Sequence, residues 1–390
     1  MVEPIFRDRN KLSPRHIPKV LPHREEHIRI LNSLFTGILD NITQSHLRVA
    51  QIIGGVGSGK TATVIRFGEN FENAARRRKI DLTHVYINLK LQGGNRVIVY
   101  RYLIEKGAPA IYSTSLSAEE MLRNLVRYLQ AESRYLLVSL DEVDYYIKHY
   151  PREPILYDLT RISELSPGEP CGVVGLVATA RSAEFYKSLD RAELSAFGRN
   201  SIEFSPYTSS QIVDILNQRV EEAFQPEVVT DDVLEYVADV TARPPVCGDV
   251  RHALDLLLYS GNLAENQGSS RVLLDHVRRV HGETYPMITS EDMMNLHDRE
   301  KIVLLAVARS LKTKRVAYVS LSDIRDTLGM VCEEFEAKPI ENAEEYIQDL
   351  CDRGMVDIKS LTSIGISGIP TEDLDRFLDN IIERVKSELE

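Results

Sequence analysis

At 390 residues, with 43% hydrophobic and 27% charged side chains, the chain is long enough to bury a sizeable core and to form two or three domains. A formal charge of −11 excludes a protein that coats nucleic acid by bulk charge, while leaving room for a local basic face. Cys171, Cys247, Cys332 and Cys351 form no C-x-x-C pair and have no histidine-rich neighbourhood, so reduced thiols of a cytosolic, cytoplasmic protein are expected. No apolar run approaches a membrane span, and Glu3, Arg7, Asp8 and Arg9 do not read as a signal peptide, so no membrane partner is expected.

Residues 1 to 24 are basic and proline-punctuated, with Arg7, Arg9, Lys11, Arg15 and Lys19 ahead of Leu21-Pro22-His23-Arg24-Glu25. An apolar step followed by polar residues before a helix can pack on a base, which predicts an arm folded over a nucleotide. The plain alternative is a solvated leader. Ile28, Leu31, Leu34 and Ile38 share a stripe and predict a helix over 25–40. The apolar run 49–53 predicts a strand. It leads into Gly54-Gly55-Val56-Gly57-Ser58-Gly59-Lys60-Thr61, which fits the pattern G-x-x-x-x-G-K-[ST]. Small residues let successive N–H groups point inward around a phosphate, and the helix starting at Thr61 offers its positive end. Lys60 is expected to reach the β- and γ-phosphates of ATP or ADP, and Thr61 to ligate Mg²⁺. The cradle is taken to run on through position 62, which is Ala62. A chance glycine-rich turn lacks this strand-and-helix context.

A strand is predicted at 85–88, then a less regular stretch to 115 with a helix near 97–105. Ser117 and Glu120 read as a capping box opening helix 118–131. The apolar run 135–140 ends in Asp141-Glu142. On its own such an acid pair is ordinarily a solvated loop. Downstream of a phosphate loop it reads as a Walker B site, at the carboxyl end of a buried parallel strand. Asp141 is expected to hold the Mg²⁺ shell, and Glu142 to orient or deprotonate the attacking water. Helix 153–165 and strand 172–178 complete an alternation that implies an α/β core, its parallel sheet covered on both faces.

Beyond Phe204 the pattern is helical to about residue 282, opened by a capping box at Thr208 and Gln211. A helical lid behind an α/β core is the layout of AAA+ ATPases. Gly248-Asp249-Val250-Arg251 sets Arg251 near a helix start; alone it reads as a solvated charge, and in an AAA+ lid it would reach the γ-phosphate. From 295 the order is helix 296–311, short strand 316–319, a helix from 320, helix 342–353, a hairpin over 356–367 and a closing helix 371–388. That is the order of a winged helix, whose third helix commonly enters a DNA major groove. The expected division is an AAA+ P-loop core with its arm over 1–203, a lid over 204–290 and a winged helix over 295–390.

With these parts in order, the chain resembles the archaeal initiator family related to origin recognition complex ATPases and the cell-division-cycle helicase loader. The resemblance spans nearly the full length. It rests on Leu21 to Glu25, Gly54 to Thr61, Leu140-Asp141-Glu142, Phe204 to Tyr207 with Ile215-Leu216, and Gly248 to Leu257. It implies an ATPase that binds double-stranded origin DNA, assembles with other initiator subunits and recruits the replicative helicase. It also implies that Leu21, Pro22, His23 and Arg24 line the adenine pocket, that Arg251 is sensor 2, and that an insertion within 89–116 touches DNA.

Three positions depart from the family pattern. The usual polar sensor 1 is replaced by Ala178-Thr179-Ala180-Arg181, where Thr179 or Arg181 could serve. Leu189-Asp190-Arg191 lacks the proline that precedes the family's arginine finger, and Arg191 is the counterpart. Ser360 to Ile369, the expected wing, holds no basic residue. Slow turnover and a weakly DNA-binding winged helix follow. A second reading of the same parts is a nucleotide-gated signalling ATPase or transcriptional regulator. The Leu-Pro-His-Arg arm and Gly-Asp-x-Arg favour the initiator, and the poor wing favours the regulator. A small-molecule kinase is disfavoured by the length spent on a winged helix.

Overall fold

The computed structural model describes residues 4–44, 46–198, 201–285 and 289–389. The described chain divides into two compact units, one over Ile17–Tyr207 and one from Thr208 onward together with the stretch up to His16.

The first unit contains α1 (Glu25–Phe35), β1 (Arg48–Gly54), α2 (Lys60–Arg77), β2 (Leu82–Asn88), α3 (Arg96–Gly107) and α4 (Ala118–Ala131). It continues with β3 (Tyr135–Asp141), α5 (Val143–His149), α6 (Ile155–Thr160), β4 (Val173–Ala180), α7 (Arg191–Phe197) and β5 (Ser201–Phe204). The strands form one parallel sheet in the order β2-β3-β4-β1-β5. β4 is buried along its whole length and β3 in all but its first residue, as strands covered on both faces must be. On one face Leu103, Leu122, Leu125 and Leu129 pack on Val138 and Leu176. On the other, Phe35, Phe67 and Phe71 pack on Ile52, Leu137 and Val177. This topology brings Gly54, Asp141 and Ala180, the last residues of β1, β3 and β4, to one edge of the sheet.

The core matches the expected α/β arrangement, with local differences. The helix expected over 25–40 is α1 followed by a 3₁₀ stretch, Thr36–Asp40, where the Thr36 hydroxyl donates to the Asn32 carbonyl at 2.6 Å. The helix expected over 153–165 is split at Arg161 into α6 and a 3₁₀ turn. α5, α7 and β5 had no predicted counterpart. Each has seven residues or fewer, too short for a period to show.

His84 on β2 is an internal feature with a pH consequence. Its Nε2 lies 2.8 Å from the Ser139 hydroxyl, and its ring fills the space beside Gly68, where a Cβ would stand 1.9 Å from Nδ1. Burial pushes this imidazole down to about 4. Its folded pKa lies below its unfolded one, so the unfolded chain takes the proton first as pH falls. Stability from this group is intact above the unfolded value and declines between about 6.5 and 4, by up to roughly 1.4 kcal/mol per pH unit. Urea midpoints measured across that window should fall more steeply for the wild type than for His84→Gln. Parallel curves would assign the pH response elsewhere.

In the second unit, α8 (Ser209–Ala223), α9 (Asp231–Ala242), α10 (Val250–Asn266) and α11 (Leu274–Thr284) form the helical lid. The capping box expected at Thr208 and Gln211 is present. The start of the chain belongs to this lid. Ile5, Phe6 and Leu12 are buried, Phe6 stacks on Phe224 at 4.7 Å, and Arg219 donates to the carbonyls of Lys11 and His16 at 3.0 and 2.9 Å. Residues 4–16 are therefore neither a solvated leader nor part of the phosphate-loop unit, because their apolar side chains complete the lid core.

The lid continues into α12 (Ser290–Met294), α13 (Asp298–Lys314), β6 (Tyr318–Val319), α14 (Leu321–Glu334), α15 (Ala343–Asp352), β7 (Asp357–Ser360), β8 (Ser363–Gly365) and α16 (Thr371–Leu389). The strands pair antiparallel in the order β6-β8-β7, giving the expected winged helix. α15 exposes Glu344, Glu345, Asp349 and Asp352. Lid and winged helix are tied together inside this unit. Arg278, 3% exposed, donates to Asp275 at 2.8 Å and to the carbonyls of Ile366, Val316 and Ala317 at 3.0, 3.3 and 3.4 Å. The Tyr236 hydroxyl donates to the same Ile366 carbonyl at 3.2 Å. Lys359 of β7 pairs with Asp239 of α9, which also accepts from Ser209 at 2.6 Å.

Candidate active site

The phosphate loop sits between β1 and α2. Gly59 has φ +87° and lies so close to Tyr207 that a Cβ would stand 2.6 Å from its hydroxyl. At Gly54 a Cβ would meet the Phe204 carbonyl at 2.4 Å. Glycine is required at both positions. Within the loop the Ser58 hydroxyl donates to the Gly55 carbonyl at 2.8 Å. Gly55 and Gly57 give room and turn, and Val56 stands exposed at the tip. The Lys60 ammonium donates to the carbonyls of Gly54 and Gly55 at 2.6 and 2.7 Å, which places it over the loop. The side chain at position 62 supplies no ligand, although its backbone N–H lies in the first turn of α2. Ala62 has only a methyl, and the next hydroxyl, Thr63, turns back to the Gly59 carbonyl at 2.9 Å.

Arg24 braces the loop from behind. It is buried, and its guanidinium donates to the Ser58 carbonyl from Nε and Nη2 at 3.0 and 2.8 Å and to the Ser205 carbonyl at 3.1 Å. It lies 3.8 Å from the centroid of the Tyr207 ring, a phenol pushed up to about 12 by burial. The expected adenine-pocket role does not suit Arg24, because its guanidinium is turned to loop carbonyls and an aromatic face. Leu21, Pro22 and His23 form the turn ahead of it, partly exposed, with His23 at φ +61°.

Four donors converge on Asp141 at the end of β3. Oδ2 accepts from the Thr61 hydroxyl at 2.7 Å and from the Tyr86 hydroxyl at 2.5 Å. Oδ1 accepts from the Thr179 hydroxyl and from the Glu142 N–H, the latter at 3.1 Å. Burial and the adjacent Asp141 carboxylate push the Tyr86 phenol upward. Among the described residues no group of three His, Cys, Asp or Glu side chains could hold a metal by itself. The hydroxyl–carboxylate pair Thr61–Asp141 is instead a hard oxygen set of the kind that binds Mg²⁺ together with substrate phosphates. The donor set fits the expected ion.

Glu142 follows in the left-handed region, φ 59° and ψ 47°, a conformation that costs a non-glycine residue of order 1–3 kcal/mol. Its carboxylate accepts from Arg181 at 3.2 Å, and the Arg181 N–H donates to Asp144 at 3.2 Å. Both candidates for sensor 1 thus reach the acid pair, Thr179 through Asp141 and Arg181 through Glu142. Arg191 opens α7 as an exposed residue behind its cap, Asp190. Arg251 is exposed in the first turn of α10, its N–H held by Asp249 at 3.0 Å, and it belongs to the lid unit. Tyr86 escaped sequence reasoning, and Tyr207 entered it only as part of the family pattern, without its contacts to Gly59 and Arg24. Tyr86 reads as one more apolar position of a strand, and only its pairing opposite Ser139, two residues before Asp141, reveals its aim.

Comparison with known proteins places this geometry. Residues 43–189 match the family model of an AAA domain, and residues 213–282 match that of the Cdc6 AAA+ ATPase-type lid domain. The chain is 30% identical to ORC1-type DNA replication protein 2 of Saccharolobus solfataricus, over 97% of this chain and 93% of the relative. The chain belongs to the archaeal ORC1-type family of DNA replication proteins. It is accordingly an AAA+ ATPase. The crystal structure of Cdc6p from Pyrobaculum aerophilum superposes with a TM-score of 0.81 at 26% identity, covering 97% of this chain and 99% of that one. The Aeropyrum pernix ORC1 protein, solved in complex with DNA, is similar at a TM-score of 0.63 and 27% identity, over 98% and 99% of the two chains. The ORC1-type family thus accounts for the loop, the acid pair, the lid and the winged helix in one chain.

Proposed function

We propose that the chain is an ATP-controlled replication initiator that binds double-stranded origin DNA with other initiator subunits and recruits the replicative helicase in the cytoplasm. The observation that carries this reading is the Thr61–Asp141 pair beneath the phosphate loop, in a chain whose family is that of replication proteins. Its working parts are the ATPase core with its arm (1–203), the lid (204–290) and the winged helix (295–390). Mg²⁺, held by Thr61 and the nucleotide phosphates with Asp141 anchoring the shell through Thr61, would supply charge neutralisation at the γ-phosphate. Lys60 binds the β- and γ-phosphates, and Leu21, Pro22 and His23 flank the base. Glu142 takes the proton of the attacking water. Arg251 reads the γ-phosphate as sensor 2, and exposed Arg191 serves a neighbouring subunit as its finger. Hydrolysis is slow, because the sensor 1 position pairs Arg181 with Glu142 instead of leaving a neutral amide there.

The test is DNA binding by the full chain, by fluorescence anisotropy on origin sequence from its own genome, with ATP, ADP or neither. Preference for origin over scrambled DNA that changes with nucleotide supports the initiator. Binding indifferent to sequence and nucleotide overturns it. A regulator whose winged helix docks proteins is the second reading, favoured by the acidic face of α15 and by the engagement of Lys359 with Asp239. Residues 295–390 hold 13 Lys or Arg against 20 Asp or Glu, a net of −7. In the basic cluster at the end of α13, Lys312 pairs with Asp375 and Lys314 with Asp323, at 2.8 and 2.6 Å. Replacing Lys312, Lys314 and Arg315 with alanine should therefore flatten the slope of log K against log salt by about 1 rather than about 3, each neutralised phosphate contributing about −0.9. A change near 3 would show that the carboxylates release these cations to DNA.

A further inference from the structure

We propose that Tyr86 is a positioning residue for the metal at the nucleotide site, fixing Asp141 so that Thr61 presents its lone pairs to the cation. The inference rests on the reading of this site as one that takes Mg²⁺ and ATP. A carboxylate offers about four lone-pair sites. At Asp141 the donors Thr61, Tyr86, Thr179 and the Glu142 N–H match that number, two on each oxygen. The Thr61 hydroxyl has one hydrogen, and Asp141 accepts it. Its oxygen lone pairs are thereby turned away from the carboxylate, in the direction a cation would use.

Tyr86 comes from a different strand than the other three donors, and it shares Oδ2 with Thr61. Without its hydroxyl, Oδ2 keeps Thr61 as its single donor, and the carboxylate is held against rotation about its Cβ–Cγ bond mainly through Oδ1. The Thr61 hydrogen follows the rotation that remains. Magnesium demands near-ideal octahedral geometry, so a ligand aimed badly costs affinity. The competing effect has the opposite sign, since removing a donor leaves more charge on the carboxylate and would strengthen its pull on a cation. Orientation wins here because three donors still neutralise Asp141 after the loss, while only Tyr86 fixes Oδ2 from the side opposite the loop strand. The phenol is a donor at working pH, because an ordinary tyrosine keeps its proton up to about pH 10.

Tyr86→Phe removes one oxygen and keeps the ring, so the packing of β2 is retained. The readout is the affinity of the full chain for a fluorescent ATP analogue, measured once in Mg²⁺ and once in EDTA. Partners of metal ligands typically contribute 10–100-fold to metal affinity, and the Mg²⁺-to-EDTA affinity ratio should fall by about 10-fold in Tyr86→Phe. Affinity in EDTA should stay that of the wild type. An unchanged ratio overturns the proposal, as does equal weakening in both buffers, which would mark Tyr86 as structural. A raised ratio also overturns it, showing that the phenol competes with the cation. Wild-type protein that binds the analogue in neither buffer would sink the nucleotide-site reading itself, and the proposal with it.

Discussion

Glu142→Gln leaves ATP binding intact and slows hydrolysis by roughly 10²–10⁴-fold, the range for loss of a general base. The amide keeps the shape of the side chain and can still hold a water, but it cannot take the water's proton. The backbone reason for the residue's position survives the change, because the left-handed conformation at 142 is set by the turn from β3 into α5. The pairing with Arg181 joins an exposed arginine to a partly buried carboxylate at 3.2 Å and is open to solvent on the arginine side, so losing its charge should alter stability little. Equilibrium dialysis with labelled ATP, followed by phosphate release from the same samples, separates the two effects. A variant that hydrolyses ATP as fast as the wild type would remove Glu142 from the chemistry and leave the water to another group.

Arg278→Met destabilises the lid and winged-helix unit by roughly 1.5–3 kcal/mol, the range for lost hydrogen bonds to a charged group, because Asp275 is partly exposed and keeps Thr371. The guanidinium is almost fully buried, and its removal takes a donor from the carbonyls of Ile366, Val316 and Ala317 and from Asp275, although Ile366 keeps Tyr236 and Asp275 keeps Thr371. Methionine fills much of the volume, which leaves the lost donors as the main cause. Lysine should not rescue the position, since one ammonium cannot span acceptors arranged for a planar fork. Urea unfolding followed by circular dichroism measures the loss. Because the chain has two units, the transition to compare is that of the second one. A midpoint unchanged within error would mean that water replaces the guanidinium at these carbonyls.

Much of the fold and the core of the site were legible in the sequence, and the reasons differ from element to element. Gly54 to Thr61 is legible because a phosphate loop needs glycine at fixed spacings. The 59 and 54 positions show why, with Tyr207 and Phe204 packed against them. β3 and β4 are legible because a strand buried on both faces must be continuously apolar. The capping boxes at Ser117 and Thr208 are local chemistry and hold in the structure. What escaped depends on contacts far apart in the chain. Arg24 reads as part of a base-binding arm until the fold sets Ser58 and Tyr207 beside it. Tyr86 carries no motif, and it becomes a site residue only because β2 flanks β3. The first residues read as an arm over the nucleotide, or plainly as a leader, because nothing in a short Pro-punctuated stretch announces that Phe6 will stack on Phe224.

The ties among Arg278, Tyr236, Asp239, Lys359 and Ile366 make the lid and the winged helix a lever without a joint. A lid that rotates with its nucleotide hands that rotation on undamped, and length then multiplies it. α13 has 17 residues, so at 1.5 Å per residue it is about 25 Å long. A turn of about 10° at its base would carry its far end through roughly 4 Å, close to the 3.4 Å rise of one base pair along a DNA strand. On the proposed reading, a small change at a γ-phosphate would become a step of about one base pair at the far end, with the stiffness of the arm shared by Arg278, Tyr236 and the Lys359–Asp239 pair.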